Sequence, residues 1–173
     1  MRLLFTLDLH DYTDDMPIIE RHAVRAMIRR GDLWVMQQTG WHEYKIPGGG
    51  IEPGEGHLDA LAREVMEETG MRIDPTSVRS IGEVIERRRD YKDQTKVFSQ
   101  RSFYYLCDAK DTGNAPTPTP NELRWGLHPV WVRLSDAIQN NRQHLSVDWA
   151  LRDTRFLEWF HDTLIQGKEV IDQ

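Results

Sequence analysis

Apolar and polar positions alternate at the start of the chain. Leu3, Phe5, Leu7 and Leu9 stand against Arg2, Thr6 and Asp8, the period of a strand with one buried face, and the pattern predicts a strand over residues 1–10. Residues 11–17 are a polar connection. Two further strands are predicted over residues 21–30 and 33–38, joined by the Gly31-Asp32 turn. The second leads through Trp41-His42-Glu43-Tyr44-Lys45 into a run of glycines after Pro47. From His57 to Thr69 the period changes: Leu58, Leu61, Ala62, Val65 and Thr69 fall at i, i+3, i+4, i+7 and i+11, one stripe of a helix that faces a core. Gly70 ends it as a left-handed cap.

Asp74 and Pro75 then mark a loop, and residues 80–89 and 96–108 read as a long antiparallel strand pair. Residues 113–121, GNAPTPTPN, are too rich in Pro and Thr for regular structure and are expected as an exposed loop. A strand over residues 129–134 follows, and Ser135 is expected to cap a short helix through Gln139. The terminal helix is predicted over residues 147–165, with Trp149, Phe156, Trp159, Phe160 and Leu164 on its apolar side. These aromatics pack on the sheet or, in part, form a homodimer contact. Strands, a helix, a hairpin, a strand and a last helix add up to an α/β fold, a mixed sheet covered by helices on both sides.

At 173 residues the chain has the length of one domain, expected over 1–173, with 39% hydrophobic and 29% charged residues. No apolar run approaches the roughly 18 residues of a membrane span. Arg2, Asp8 and His10 interrupt the N-terminal apolar stretch, so it is not expected to be a signal peptide. The single cysteine, Cys107, excludes an internal disulfide and fits a reducing, cytoplasmic compartment; as a lone thiol in an apolar strand it reads as core. A net charge of −6 argues against constitutive binding to nucleic acid.

The stretch from Pro47 to Met71 carries the chemistry. Gly48-Gly49-Gly50 and Pro53-Gly54 force a turn before the helix. On the helix face away from the stripe, Glu64, Glu67 and Glu68 sit at i, i+3 and i+4, so their carboxylates are neighbours and repel. A hard divalent cation with oxygen ligands relieves that repulsion, and Mg²⁺ suits it, being held by a few carboxylates, water and the substrate's own phosphates. Arg63 lies one turn before Glu67 and reaches back toward Glu55, a placement that orients the acids. His42 and His57 match no zinc spacing.

Gly49, Glu55, Arg63-Glu64, Glu67-Glu68 and Gly70, with apolar residues at Val65 and Met71, resemble the signature of the Nudix (MutT-like) hydrolases, here over residues 49–71. The resemblance implies an α/β/α sandwich in which Trp41 and Tyr44 flank the site. It also implies hydrolysis of the pyrophosphate bond in a nucleoside diphosphate linked to another group, with Mg²⁺ or Mn²⁺ held by Glu64, Glu67, Glu68 and a carbonyl near Gly48. Glu64 or Glu122 would accept the proton of the attacking water, with Glu83 and Glu86 as competitors of Glu122. Arg63 would position the cluster.

The hairpin segment RRRDYKDQTK concentrates positive charge at Arg87, Arg88, Arg89, Lys92 and Lys96. It is either a solvated face or an attractor of the anionic substrate; in the second reading Arg87, Arg89 and Lys96 bind the nucleotide. Marks of the ADP-ribose, dinucleoside polyphosphate and NADH subclasses are missing downstream of the signature, where Glu86 and Arg87 stand. A nucleoside triphosphate, in an ordinary or oxidised form, is therefore the expected substrate, with ADP-ribose or nucleotide sugars behind it. A nucleotide sensor of the same fold is the non-enzymatic alternative, and an RNA-end hydrolase a third.

Overall fold

In this computed structural model, which describes residues 1–144 and 148–172, the 13-residue strand β2 (Ile18–Arg30) lies at the middle of the main sheet. Before it comes β1 (Leu3–Asp8); after it come β3 (Leu33–Gln38), β4 (Tyr44–Lys45) and helix α1 (His57–Thr69). The chain continues through β5 (Met71–Ile73), a 3-10 turn at Pro75–Ser77, β6 (Arg79–Arg89), β7 (Val97–Cys107) and β8 (Ala109–Asp111). It closes with α2 (Pro120–Arg124), β9 (His128–Val132), α3 (Leu134–Asn141) and α4 (Asp148–Ile165). The sheet order is β1-β6-β7-β2-β3-β4, with β9 also on β3. Because β1 runs parallel to β6 and β2 parallel to β7 while β6 and β7 are antiparallel, the sheet is mixed. β5 and β8 form a separate antiparallel pair.

Both faces of β2 are covered. Val24, Ala26 and Ile28 point to α1 and share a core with Val35, Leu61 and Val65. Met27 points the other way, to a core built of Trp34, Ile46, Tyr104, Phe156 and Phe160 under α3 and α4. The Phe156 ring stacks on Tyr104 with centroids 3.6 Å apart. Such fully buried side chains contribute about 1.5–3 kcal/mol each. The expected two-sided α/β architecture is thus what the residues build.

Several boundaries differ from the sequence reading for identifiable reasons. β1 stops at Asp8, leaving Leu9 exposed. β2 begins at Ile18 because Ile18 pairs in parallel with Val97, a partner distant in sequence. On α1, Leu61 and Val65 are buried but Leu58 is 48% exposed. The inner place at the start of the helix is taken by His57, which packs 4.3 Å from the Phe103 ring and bonds the Tyr105 hydroxyl at 2.7 Å. Gly70 ends the helix at φ 71°, where a side chain would overlap the Asn114 carbonyl.

The Pro/Thr-rich segment is not loop throughout. Thr119 and Glu122 form a reciprocal capping box that starts α2 with Pro120 in its first turn. Ser135 does not cap α3, which starts one residue earlier and has Arg133 at its N-cap. On α4, Phe156 and Phe160 are buried as expected but Leu164 is exposed. The expected start at Val147 and the side chain of Trp149 lie outside the described residues. No described helix is long and apolar enough to cross a membrane.

Candidate active site

The glycine turn is fixed by β2. Val24 and Ala26 donate their N–H groups to the Gly49 and Pro47 carbonyls at 2.9 Å each, and Ile51 donates to the His22 carbonyl at 3.0 Å. Gly48 sits at φ 132°, and a side chain there would run into the Val24 carbonyl. A side chain on Gly49 would overlap the Glu64 carboxylate. The turn therefore has to be glycine for α1 to lie against it.

Arg63 ties the helix to the turn. It donates to both Glu55 oxygens, at 2.8 and 2.9 Å, to Glu64 at 2.8 Å, to Glu67 at 3.4 Å and to the Gly50 carbonyl at 2.9 Å. The hydrogen bonds from Arg63, helped by the Glu52 backbone, hold the Glu55 carboxyl down at about 2. Glu64 shifts the other way: burial pushes its carboxyl up, Arg63 opposes this, and Glu68 and Glu67 add repulsion. Glu68 is buried, taking a hydrogen bond from Lys45 Nζ at 2.8 Å and another from the Gly48 N–H at 2.7 Å.

Glu64, Glu67 and Glu68 thus share one side of a cleft of about 930 Å³ with the glycine turn. Its floor is sheet: Arg21 and Arg25 from β2, Gln100 from β7, and Glu86 and Arg88 from β6. Arg152 of α4 closes the far side, hydrogen-bonded to Glu86 at 3.0 Å and to Asp153 at 2.8 Å. Thr119, Glu122 and Trp125 form part of the rim. Trp41 and Tyr44, expected to flank the site, do not line it.

For a divalent cation the donor chemistry fits: three carboxylates within one helical turn, one of them half-buried and crowded by the other two. Among the described residues, no three acidic, His or Cys groups are gathered as a ready cage. The cations Arg63 and Lys45 balance the acids instead. Gly48 contributes its N–H to Glu68, and its carbonyl, expected to complete an ion's shell, accepts a hydrogen bond from Arg25 Nη1.

Not all expected residues meet here. Arg87, Arg89 and Lys96 stay out of the cleft. Arg87 lines a small recess with Glu20, His22 and Arg101, Arg89 is held by Asp11 at 2.7 and 2.8 Å, and Lys96 pairs with Asp93 at 3.1 Å. Side chains alternate along a strand, so Glu86 and Arg88 face the cleft and Arg87 and Arg89 face away. The Arg88 guanidinium lies over the Tyr91 and Phe98 rings at 3.9 and 4.4 Å. Glu122 does reach the rim, but its carboxylate accepts the Thr119 N–H at 2.6 Å. Glu83 lies outside the cleft, 3.6 Å from Arg101. The sequence pattern does not single out Arg21, Arg25, Gln100 and Arg152; the one signal available was Arg25 within the apolar run 23–28 of β2.

A NUDIX domain model matches residues 20–160 of this chain. The protein of Bacillus subtilis named "Putative 8-oxo-dGTP diphosphatase YtkD" is 39% identical over 62 residues, which span 35% of this chain and 39% of that relative, well under half its length. An RNA pyrophosphohydrolase of Pectobacterium carotovorum is 23% identical over 66% of this chain and 70% of its own. Among solved structures, a NUDIX hydrolase from Nitrosomonas europaea superposes with a TM-score of 0.53 at 19% identity, over 79% of this chain and 89% of that one. The MutT protein from Bacillus halodurans gives 0.54 at 17%, over 69% and 72%. With the matched region running from β2 through most of α4 and enclosing the whole glycine turn and carboxylate helix, the chain belongs to the NUDIX domain family.

Proposed function

We propose that the chain hydrolyses the pyrophosphate bond of a nucleoside diphosphate bearing a further group, with a nucleoside triphosphate, ordinary or oxidised, as its main substrate. Membership in the family, with relatives named as a diphosphatase and a pyrophosphohydrolase, supports a hydrolase of acid anhydrides. The observation that carries the reading is the turn of α1 on which Arg63 holds Glu64 and Glu67 at the mouth of an arginine-floored cleft.

Glu64, Glu67 and Glu68 would hold Mg²⁺, or Mn²⁺, which when bound neutralises phosphate oxygens and makes water a better nucleophile. Arg63 and Glu55 keep the carboxylates aligned. Glu64 takes the proton of the attacking water as its oxygen bonds to phosphorus; the bridging P–O bond breaks and the leaving phosphate keeps the bridging oxygen and its electron pair. Glu64 is favoured over Glu122 because the Glu122 carboxylate is engaged in capping α2. The buried Glu86–Arg152 pair shapes the far wall.

Phosphate release from a panel of nucleoside triphosphates, ADP-ribose and nucleotide sugars tests the substrate class. Replacing Glu67, 44% exposed at its side chain, with Gln should leave the fold intact and remove most Mg²⁺-dependent turnover. Unchanged turnover would end the metal assignment. Nucleotide binding with no turnover across the panel would favour the sensor reading. An RNA 5′ end as substrate is disfavoured by the net charge of −6.

A further inference from the structure

Most cations of the cleft have a carboxylate: Lys45 has Glu68, Arg63 has Glu55 and Glu64, and Arg88 and Arg152 share Glu86. Two arginines of β2 do not. Arg25 is only 3% exposed, its Nη1 donates to the Gly48 carbonyl, and its Nε is buried with no partner. Arg21, four residues earlier on the same face of the strand, donates to Gln100 at 2.5 Å and lies against the glycine turn, 3.1 Å from where a Gly50 side chain would begin. Among the described residues neither forms an ion pair. The Arg21 guanidinium is pushed below its ordinary range by partial burial and then by the charges of Arg25 and Arg152, with Glu64 and Glu86 attracting it from beyond ion-pair distance.

A buried cation without a counter-ion, as Arg25 is, is a costly arrangement, and the like charge of the more exposed Arg21 in the same cleft adds to the cost. It persists where a ligand supplies the missing charge. Guanidinium groups match phosphate geometry through paired N–H donors, and both arginines line the cleft that also holds the carboxylates of α1.

We propose that Arg21 and Arg25 form an anion subsite that seats a terminal, dianionic phosphate of the substrate beside the carboxylate cluster. The subsite deepens the hydrolase reading and rests on it: two arginines with no carboxylate in ion-pair contact select a nucleoside triphosphate, whose chain ends in a dianion, over a diphosphate diester such as ADP-ribose.

The probe is inorganic tripolyphosphate, titrated calorimetrically into the protein in EDTA so that no divalent ion takes part. Wild type should bind it, more weakly as salt rises, and Arg25→Met and Arg21→Gln should each lose about tenfold or more in affinity, the effect of removing a charged hydrogen-bond donor. Arg25→Met should melt no lower than wild type, since it removes an unbalanced buried charge, and its KM should rise for adenosine triphosphate but not for ADP-ribose. No binding by wild type, or binding untouched by both substitutions, overturns the subsite. So does an Arg25→Met protein that melts lower yet binds normally, because the arginine would then be structural. If Arg25→Met does not fold, Arg21→Gln at an exposed residue decides the binding question alone. A protein that binds tripolyphosphate in this way but releases no phosphate from any nucleotide with Mg²⁺ keeps the subsite and loses the hydrolase reading; turnover insensitive to both substitutions does the reverse.

Discussion

Arg63 grips Glu55 through both carboxylate oxygens, at 2.8 and 2.9 Å, and the same guanidinium holds Glu64 at 2.8 Å. One side chain thus joins the loop before α1 to the acids on it. Lysine offers a point charge where this geometry needs a planar fork. Arg63→Lys should therefore lower kcat by about tenfold or more, since displaced catalytic groups are expensive, while a thermal melt shifts by only a few degrees. Wild-type kcat in the lysine variant would show that the fork does not position the site.

The pH dependence of this tie has a definite sign. Glu55 is held at about 2, below its ordinary 4.5. A depressed folded-state value means the contribution is fully present above about 4.5 and is lost as pH falls from there toward about 2. Melting curves of wild type and Glu55→Gln taken between those limits and neutrality should differ most at neutral pH and converge in acid. A gap that stays constant on acidification would mean that the ionised carboxylate is not what Arg63 stabilises.

Lys45 and Glu68 are nearly closed to solvent, with side chains 16% and 4% exposed. Removing one partner of a buried pair leaves a charge uncompensated and costs about 3–5 kcal/mol, so Lys45→Met should melt well below wild type. Mg²⁺ should then recover more stability in the variant than in wild type, because an ion on Glu68 replaces the lost charge. Equal gains in the two proteins would remove Glu68 from the ion's ligands.

What the sequence disclosed was whatever depended on short spacing. The α1 stripe, the Gly70 stop and the neighbouring of Glu64, Glu67 and Glu68 follow from a 3.6-residue period within one helix, and the long β6–β7 pair from apolar runs around a polar turn. What escaped depended on register and on partners far along the chain. The hairpin's positive charge was visible, but that Arg88 faces the cleft while Arg87 and Arg89 turn away requires knowing which face of β6 the last helix covers. Arg21 and Arg25 read as ordinary polar positions until parallel pairing with β7 set Arg21 beside Gln100 and Arg25 beside Tyr104. The Thr119-Pro120-Asn121-Glu122 capping box was legible and was masked by the Pro/Thr-rich composition around it.

Phe156 offers a control for stability without chemistry. It is fully buried, stacked on Tyr104 and 5.8 Å from Phe160, and takes no part in the cleft. Phe156→Ala should lose about 3–5 kcal/mol in denaturant unfolding, while the KM of the surviving folded protein stays near wild type. A KM shift at full folding would show that the core under α4 transmits to the Arg152 wall.

The last prediction separates Glu122 from the mechanism. Its carboxylate accepts the Thr119 N–H at 2.6 Å, while the Thr119 hydroxyl accepts the Glu122 N–H at 3.4 Å, closing the cap of α2. Glutamine also completes such a box, because its amide oxygen accepts the same hydrogen bond, but it cannot take a proton from water. Glu122→Gln should therefore keep α2 in place and leave kcat within about threefold of wild type, whereas loss of a general base typically costs about 10²–10⁴-fold. Thr119→Ala, which breaks the cap and keeps the carboxylate, should act on KM instead, since α2 carries Glu122 and leads into Trp125 at the cleft rim. A hundredfold fall in kcat for Glu122→Gln with unchanged melting would move the proton-accepting role from Glu64 to Glu122 and require the capping contact to open during turnover.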